Sequence, residues 1–184
     1  MMGVIIAKFA RPKKRAQNIV FSRKAVIYHR DGVPCLIFKI ADIRKSYIVQ
    51  AQVRARVIRE KTTREGEYLD FFQDELKLTI DNCNDRLMLM WPTLVTHKID
   101  EKSPFFNMSA SDILKGKFEI LVLLEGGIKS TGLAAQARTS YLPSEILWGH
   151  RFQSTISYKN KNEEFEVDFN LFHNTFKVDT PVMH

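Results

Sequence analysis

Apolar and polar side chains alternate along most of this chain in short runs of period two, separated by polar turns, and few stretches hold the period of a helix. Residues 25–29 and 35–40 are apolar runs on either side of Arg30-Asp31-Gly32, and an Asp-Gly pair at that spacing predicts a hairpin. In residues 47–57 one face takes Tyr47, Val49, Ala51, Val53, Ala55 and Val57, while Ile48, Gln50, Gln52, Arg54 and Arg56 share the other. The pattern predicts a half-buried strand with a polar second face. Residues 118–124 are apolar on both faces apart from Glu119, which predicts a strand in the middle of a sheet. Glu125-Gly126-Gly127 is expected to end that strand abruptly, either as a tight surface turn or where the backbone approaches a neighbour. Residues 76–80, 86–91, 133–140, 151–158 and 164–169 predict further strands, the last two joined by the polar turn 159–163. Short helices are expected at residues 111–115 and 143–148, introduced by Ser and by Pro respectively. Short strands at regular spacing, with no repeat or second domain boundary, predict one all-β domain built as a β-sandwich.

Composition narrows the picture. With 184 residues, 45% of them hydrophobic, the chain can bury a core without disulfide staples. Cys35 and Cys83 have no metal-site spacing and read as two free thiols of a reducing compartment. The longest apolar runs, residues 1–7 and 120–124, fall short of the roughly 18 to 20 residues that span a bilayer. Residues 1–7 also lack the charged start and cleavage site of a signal peptide, and read as the cut end of something longer.

The net charge of +7 is local. Residues 1–30 hold eight basic and no acidic side chains and so contribute +8, leaving −1 for the remainder. Lys8, Arg11, Lys13, Lys14 and Arg15 directly follow the apolar start. A polybasic run there suits a membrane face, because anionic headgroups attract Lys and Arg by roughly 1 kcal/mol each. A nucleic-acid partner is not expected, since no aromatic platform interleaves with the basic block. Enzyme motifs such as GxGxxG, Walker, HExxH and GxSxG are absent, and His97 and His150 have no nucleophile and carboxylate pattern beside them. No catalytic activity is expected. Asp81 and Asp85 lie in Asp81-Asn82-Cys83-Asn84-Asp85-Arg86, without the ordered oxygen ligands of a Ca2+ loop. One such loop is solvated or paired with Arg86, whereas a ring of four would gather cations.

The motifs in order resemble the cytoplasmic domain of animal inward-rectifier potassium channels. They include Ala10-Arg11-Pro12-Lys13-Lys14-Arg15-Ala16, Ile43-Arg44-Lys45-Ser46, Glu65-Gly66-Glu67, Phe118-Glu119-Ile120 and Leu124-Glu125-Gly126. Gln136-Ala137-Arg138-Thr139-Ser140-Tyr141, Glu145-Ile146-Leu147-Trp148-Gly149-His150-Arg151-Phe152 and Phe172-His173-Asn174-Thr175 follow. The resemblance implies an immunoglobulin-like β-sandwich assembling as a fourfold pore, a homotetramer or a heterotetramer with related subunits, on the cytoplasmic side of the plasma membrane. In that scheme residues 1–18 are the end of an inner membrane helix and a polybasic linker, residues 19–176 the pore domain and residues 177–184 a tail.

The resemblance also implies roles. Lys8, Arg11, Lys13 and Lys14, with Arg15 beside them, would hold phosphatidylinositol 4,5-bisphosphate as a regulatory ligand, with no cofactor and no firmly assigned metal site. Asp81, Asp85 and Glu125 would be pore acids that attract Mg2+ and polyamines in a K+ pathway. Gly126, Gly127, Ile128, Lys129 and Ser130 would form the constriction at its top. Gln50 stands where strong rectifiers carry a glutamate, so weaker block is expected. Lys129 stands at a usually acidic position, where it would repel Arg138. Asp42 with Arg44 matches the Na+ site of sodium-activated members, although the two residues also read as a static ion pair. The alternative from a different class is a free-standing β-sandwich that binds acidic lipids or proteins.

Overall fold

A computed structural model of the chain describes residues 19–43, 48–81, 87, 89, 91–128 and 132–180. Among these, the first seven strands are β1 (Ile19–Phe21), β2 (Ala25–Arg30), β3 (Val33–Asp42), β4 (Ile48–Thr62), β5 (Tyr68–Leu76), β6 (Thr79–Ile80) and β7 (Thr93–Lys98). Helix α1 (Ala110–Lys115) precedes β8 (Phe118–Ile128), β9 (Ala134–Tyr141), β10 (Ile146–Trp148), β11 (His150–Phe152), β12 (Ile156–Lys159), β13 (Glu164–Val167) and β14 (Thr175–Lys177). The first sheet has the order β10-β2-β3-β7-β6 with β1 paired to β3, and the second has the order β5-β4-β8-β9. Two small two-stranded sheets, the hairpin β12–β13 and the longer-range pair β11–β14, complete the described chain.

Local chemistry explains the main elements. Asp31 and Gly32 both adopt positive φ, 51° and 76°, as the two-residue turn between β2 and β3 requires. Ser109 caps α1, its Oγ accepting from the Asp112 amide while the Asp112 carboxylate accepts from the Ser109 amide. Ile27, Leu36, Phe38, Ile40 and Val95 of the first sheet meet Ala51, Ala55, Val57, Ile120, Val122 and Leu124 of the second in one core. Each large aliphatic side chain buried there contributes about 1.5 to 3 kcal/mol. Tyr141 on β9 packs against Phe38, and its hydroxyl donates to the Ser22 carbonyl at 2.7 Å, which ties the sheets together at a polar atom. The result is the all-β sandwich the strand pattern predicts, of the immunoglobulin-like kind the family resemblance implies.

The first sheet is covered on its other face too. Val26, Tyr28, Cys35 and Ile37 form a second small core with Leu94, Leu147, Phe152 and Val178. Cys35 is buried as a free thiol, and Cys83 lies outside the described residues. Gly149, at φ 72°, lets its amide donate to the Ile27 carbonyl and its carbonyl accept from Val178; an added Cβ would sit 3.3 Å from the Val178 carbonyl. Lys39 projects into this layer with 3% of its surface exposed, its Nζ 4.9 Å and 5.3 Å from the ring centres of Phe152 and Phe172 and donating to the Gln153 carbonyl.

Several elements differ from the sequence reading. β8 runs through Gly126 and Gly127 to Ile128 instead of stopping, because both glycines have ladder partners on β4 or β9. Residues 143–148 are a 3-10 turn followed by β10, which pairs in parallel with β2; the Pro start is genuine, but the apolar residues after it join a sheet. The run 151–158 divides into β11 and β12, which join different small sheets. β5 and β7 are strands where none was expected, and in the expected strand 86–91 the described residues show an isolated bridge from Leu87 to Ala51.

Burial lowers the pKa of Lys39 from 10.5 to about 8. Below pH 8 the ammonium is charged in both folded and unfolded chains; between about 8 and 10.5 the unfolded chain binds more proton, so this group adds stability as pH rises. Wild type is therefore expected to gain up to about 3 kcal/mol relative to Lys39→Met between pH 7.5 and 10, read from paired denaturant titrations. A difference independent of pH contradicts the assignment.

Candidate functional site

The outward face of the second sheet is where polar side chains collect. Alternation along β4 and β8 turns Ala55, Val57, Ile120, Val122 and Leu124 into the core, which leaves Gln52, Arg54, Arg56 and Glu125 exposed on the other side. Register sets them in rows: Gln52, Glu125 and Gln136 lie side by side on β4, β8 and β9, followed by Arg54, Leu123 and Arg138. The Gln136 amide donates to Glu125 at 3.4 Å. Arg54 and Arg138 stand two strands apart, about 10 Å, with Leu123 between them. Arg56, one row further, donates to Gln73 on β5 at 3.0 Å.

A β-bulge opens this face at one end. Val49 pairs with Gly127 and Gln52 with Glu125, so Gln50 and Ala51 together oppose Gly126. Gln50 takes up the extra residue with φ 54°, a left-handed conformation that non-glycine residues adopt at a cost. Its side chain is exposed. Gly126 and Gly127 pair with Ala135 and Ala134 on β9, while Lys129 and Ser130 lie outside the described residues, as does the side chain of Ile128.

The other expected acids are arranged differently. Asp81 follows β6 at the edge of the first sheet and pairs with Arg30, Nη1 to Oδ1, at 2.9 Å. The Arg86 partnership and Asp85 itself fall outside the described residues. Sequence reasoning did not find Arg30, because the two residues are 51 positions apart and no local pattern links them. Burial opposes the Arg30 charge, but hydrogen bonds to Asp81 and Tyr28 outweigh it and push the guanidinium pKa up. Lys39, by contrast, had a signal: a lone cation in the apolar run 35–40.

Asp42 is 5% exposed at the end of β3, opposite Ile19, and borders a cavity of about 440 Å3 with Lys159, Glu164 and Glu166 of the β12–β13 hairpin. Arg44 is outside the described residues, as are Lys8, Arg11, Lys13, Lys14 and Arg15. Among the described residues no group of three or more His, Cys, Asp and Glu is placed to hold a metal ion, and no helix is long and apolar enough to cross a membrane. His97 is packed: its Nδ1 meets the Lys77 carbonyl and its Nε2 the Ser103 hydroxyl, each at 2.8 Å, and burial pushes its pKa down. His150 makes a hydrogen bond to the Trp148 carbonyl at 3.1 Å.

Residues 19–184 match the inward rectifier potassium channel C-terminal domain. The chain belongs to the inward rectifier potassium channel family. It is 47% identical over 184 residues to inward rectifier potassium channel irk-1 of Caenorhabditis elegans, covering all of this chain and 34% of that one. ATP-sensitive inward rectifier potassium channel 12 of Mus musculus is 46% identical over 178 residues, 97% of this chain and 41% of the relative. G protein-activated inward rectifier potassium channel 4 of the same species is 42% identical over 181 residues, 98% of this chain and 43% of the relative. The chain thus spans between a third and under half the length of these relatives. This inward rectifier C-terminal domain presents a polar sheet face whose charged members include Arg54, Arg56, Arg138, Glu125 and Glu75, the last opposite Arg56 on β5, with glutamines flanking the Glu125 carboxylate.

Proposed function

We propose that this domain, with three further copies or related subunits, surrounds the cytoplasmic part of a potassium pathway below the plasma membrane, that the outward face of the second sheet lines it, and that Asp81, which follows β6 at the edge of the first sheet, and Asp85 border it as well. The single observation that carries the reading is the row Gln52, Glu125, Gln136: an exposed carboxylate among neutral amides on a face that the core leaves free. One exposed carboxylate is screened within about 8 to 10 Å at physiological salt. Four around an axis, walled by low-dielectric protein, focus a negative potential on the centre and concentrate K+, Mg2+ and polyamines there. Opposing them on the same face are Arg54 and Arg138, and Gln50 is neutral. Block by internal polyamines is therefore weak for the family.

The basic residues Lys8, Arg11, Lys13, Lys14 and Arg15 bind phosphatidylinositol 4,5-bisphosphate at the membrane surface, since clustered ammonium and guanidinium donors suit multivalent phosphate. The lipid favours opening to the extent that it binds the open state more tightly.

Both parts are tested on the parent full-length channel in excised inside-out patches. Asp81→Asn, Asp85→Asn and Glu125→Gln together are expected to weaken spermine block about tenfold or more; block of wild-type strength refutes the pathway assignment. Lys13→Gln with Lys14→Gln is expected to raise the phosphatidylinositol 4,5-bisphosphate needed for half-maximal current about tenfold. An unchanged lipid requirement removes the basic run from the binding site.

A further inference from the structure

The acids of the proposed pathway are not equal, because Asp81 already has a cation held against it. Arg30 ends β2, and its side chain lies across the outer face of the first sheet, passing over β3 to reach β7 and the residue after β6. Three groups fix its guanidinium. Nε donates to the Tyr28 hydroxyl at 2.8 Å, and Nη1 donates to Asp81 Oδ1 at 2.9 Å and to Thr96 Oγ1 at 3.4 Å. The Thr96 hydroxyl also donates to Asp81 Oδ1, at 3.4 Å. The Arg30 guanidinium carbon is 5.5 Å from the centre of the Tyr28 ring, and that of Arg151 lies 5.3 Å from the same ring. The pair is therefore held by a small network and differs from two mobile surface chains that meet in passing.

An ion pair of this length is a dipole when viewed from 10 Å or more, and its field falls off faster than that of a lone carboxylate. Glu125 is in the opposite situation, with Gln52 and Gln136 as its row neighbours. We propose that Arg30 sets how much of the negative charge of Asp81 reaches cations in the pathway, which makes Arg30 a determinant of block strength although it lies outside the acidic set. The proposal rests on Asp81 being one of the pathway acids.

The test is spermine block of the full-length channel in inside-out patches for Arg30→Gln, Asp81→Asn and the double variant, with Glu125→Gln as reference. Arg30→Gln unmasks the carboxylate, and spermine affinity is expected to rise about threefold or more. Asp81→Asn leaves Arg30 uncompensated and is expected to weaken block by a similar factor, while the double variant, neutral like the intact pair, returns to wild-type block. Unchanged block in Arg30→Gln with weakened block in Asp81→Asn overturns the masking and leaves Asp81 a pathway acid. Unchanged block in both, with weakened block in Glu125→Gln, overturns the assignment of Asp81 and the proposal with it. A gain in Arg30→Gln that persists in the double variant also overturns it, because Arg30 then acts elsewhere. Should Arg30→Gln alone give no current, the double variant decides together with Asp81→Asn: wild-type block in the double variant with weakened block in Asp81→Asn supports the pairing, and any other combination overturns it.

Discussion

The antiparallel pairing of β4 with β8 is the constraint on which this domain depends. Residues 53–59 of β4 meet residues 118–124 of β8 without a break, so alternation on one strand dictates alternation on the other. A slip of one position would carry Val57, Ile120, Val122 and Leu124 out of the core and turn Arg54 and Glu125 into it. Burying those charges without partners would cost several kcal/mol, so the register that closes the core is also the one that presents the polar face. Core and candidate ion pathway are two sides of one hydrogen-bonded ladder.

The first sheet solves a different problem. Both of its faces are covered, one by the second sheet and the other by the chain around β11 and β14. Charged residues that enter these covered faces must therefore be matched locally. Lys39 is met by two aromatic rings and a backbone carbonyl, and Arg30 by a carboxylate, a phenol and a threonine hydroxyl. On the second sheet, Arg54 and Arg138 point outward from an open face instead. The same residue types thus act as internal fasteners on one sheet and as surface charge on the other.

What the sequence disclosed follows the range of the interactions involved. The β2–β3 hairpin was legible because Asp31-Gly32 sets its turn locally, and the polar face of β4 because a period of two holds from Ala51 to Val57; upstream the bulge at Gln50 breaks the alternation, and Ile48, expected on the polar face, packs against the core. The run through Gly126 and Gly127 was hidden, since glycine reads as a stop until partners on β4 and β9 are known. β5 was hidden for a related reason: it is a sheet-edge strand whose Asp70, Asp74 and Glu75 mask the alternation of its apolar positions. The family resemblance implies the same role for Glu125 and Asp81, but only the folded chain separates them, giving Asp81 a cation from a strand far away in sequence.

The proposed placement is that the outward face of the second sheet borders the ion pathway of a fourfold assembly. Its most direct test is the accessibility of Gln52→Cys in the open full-length channel, with a cationic thiol reagent applied from the cytoplasmic side. Modification is expected to reduce outward K+ current, and spermine in the pathway to slow the reaction, whereas Lys98→Cys on the first sheet is modified at a rate that spermine does not change. Complete modification of Gln52→Cys with no change in current and no protection by spermine would contradict it.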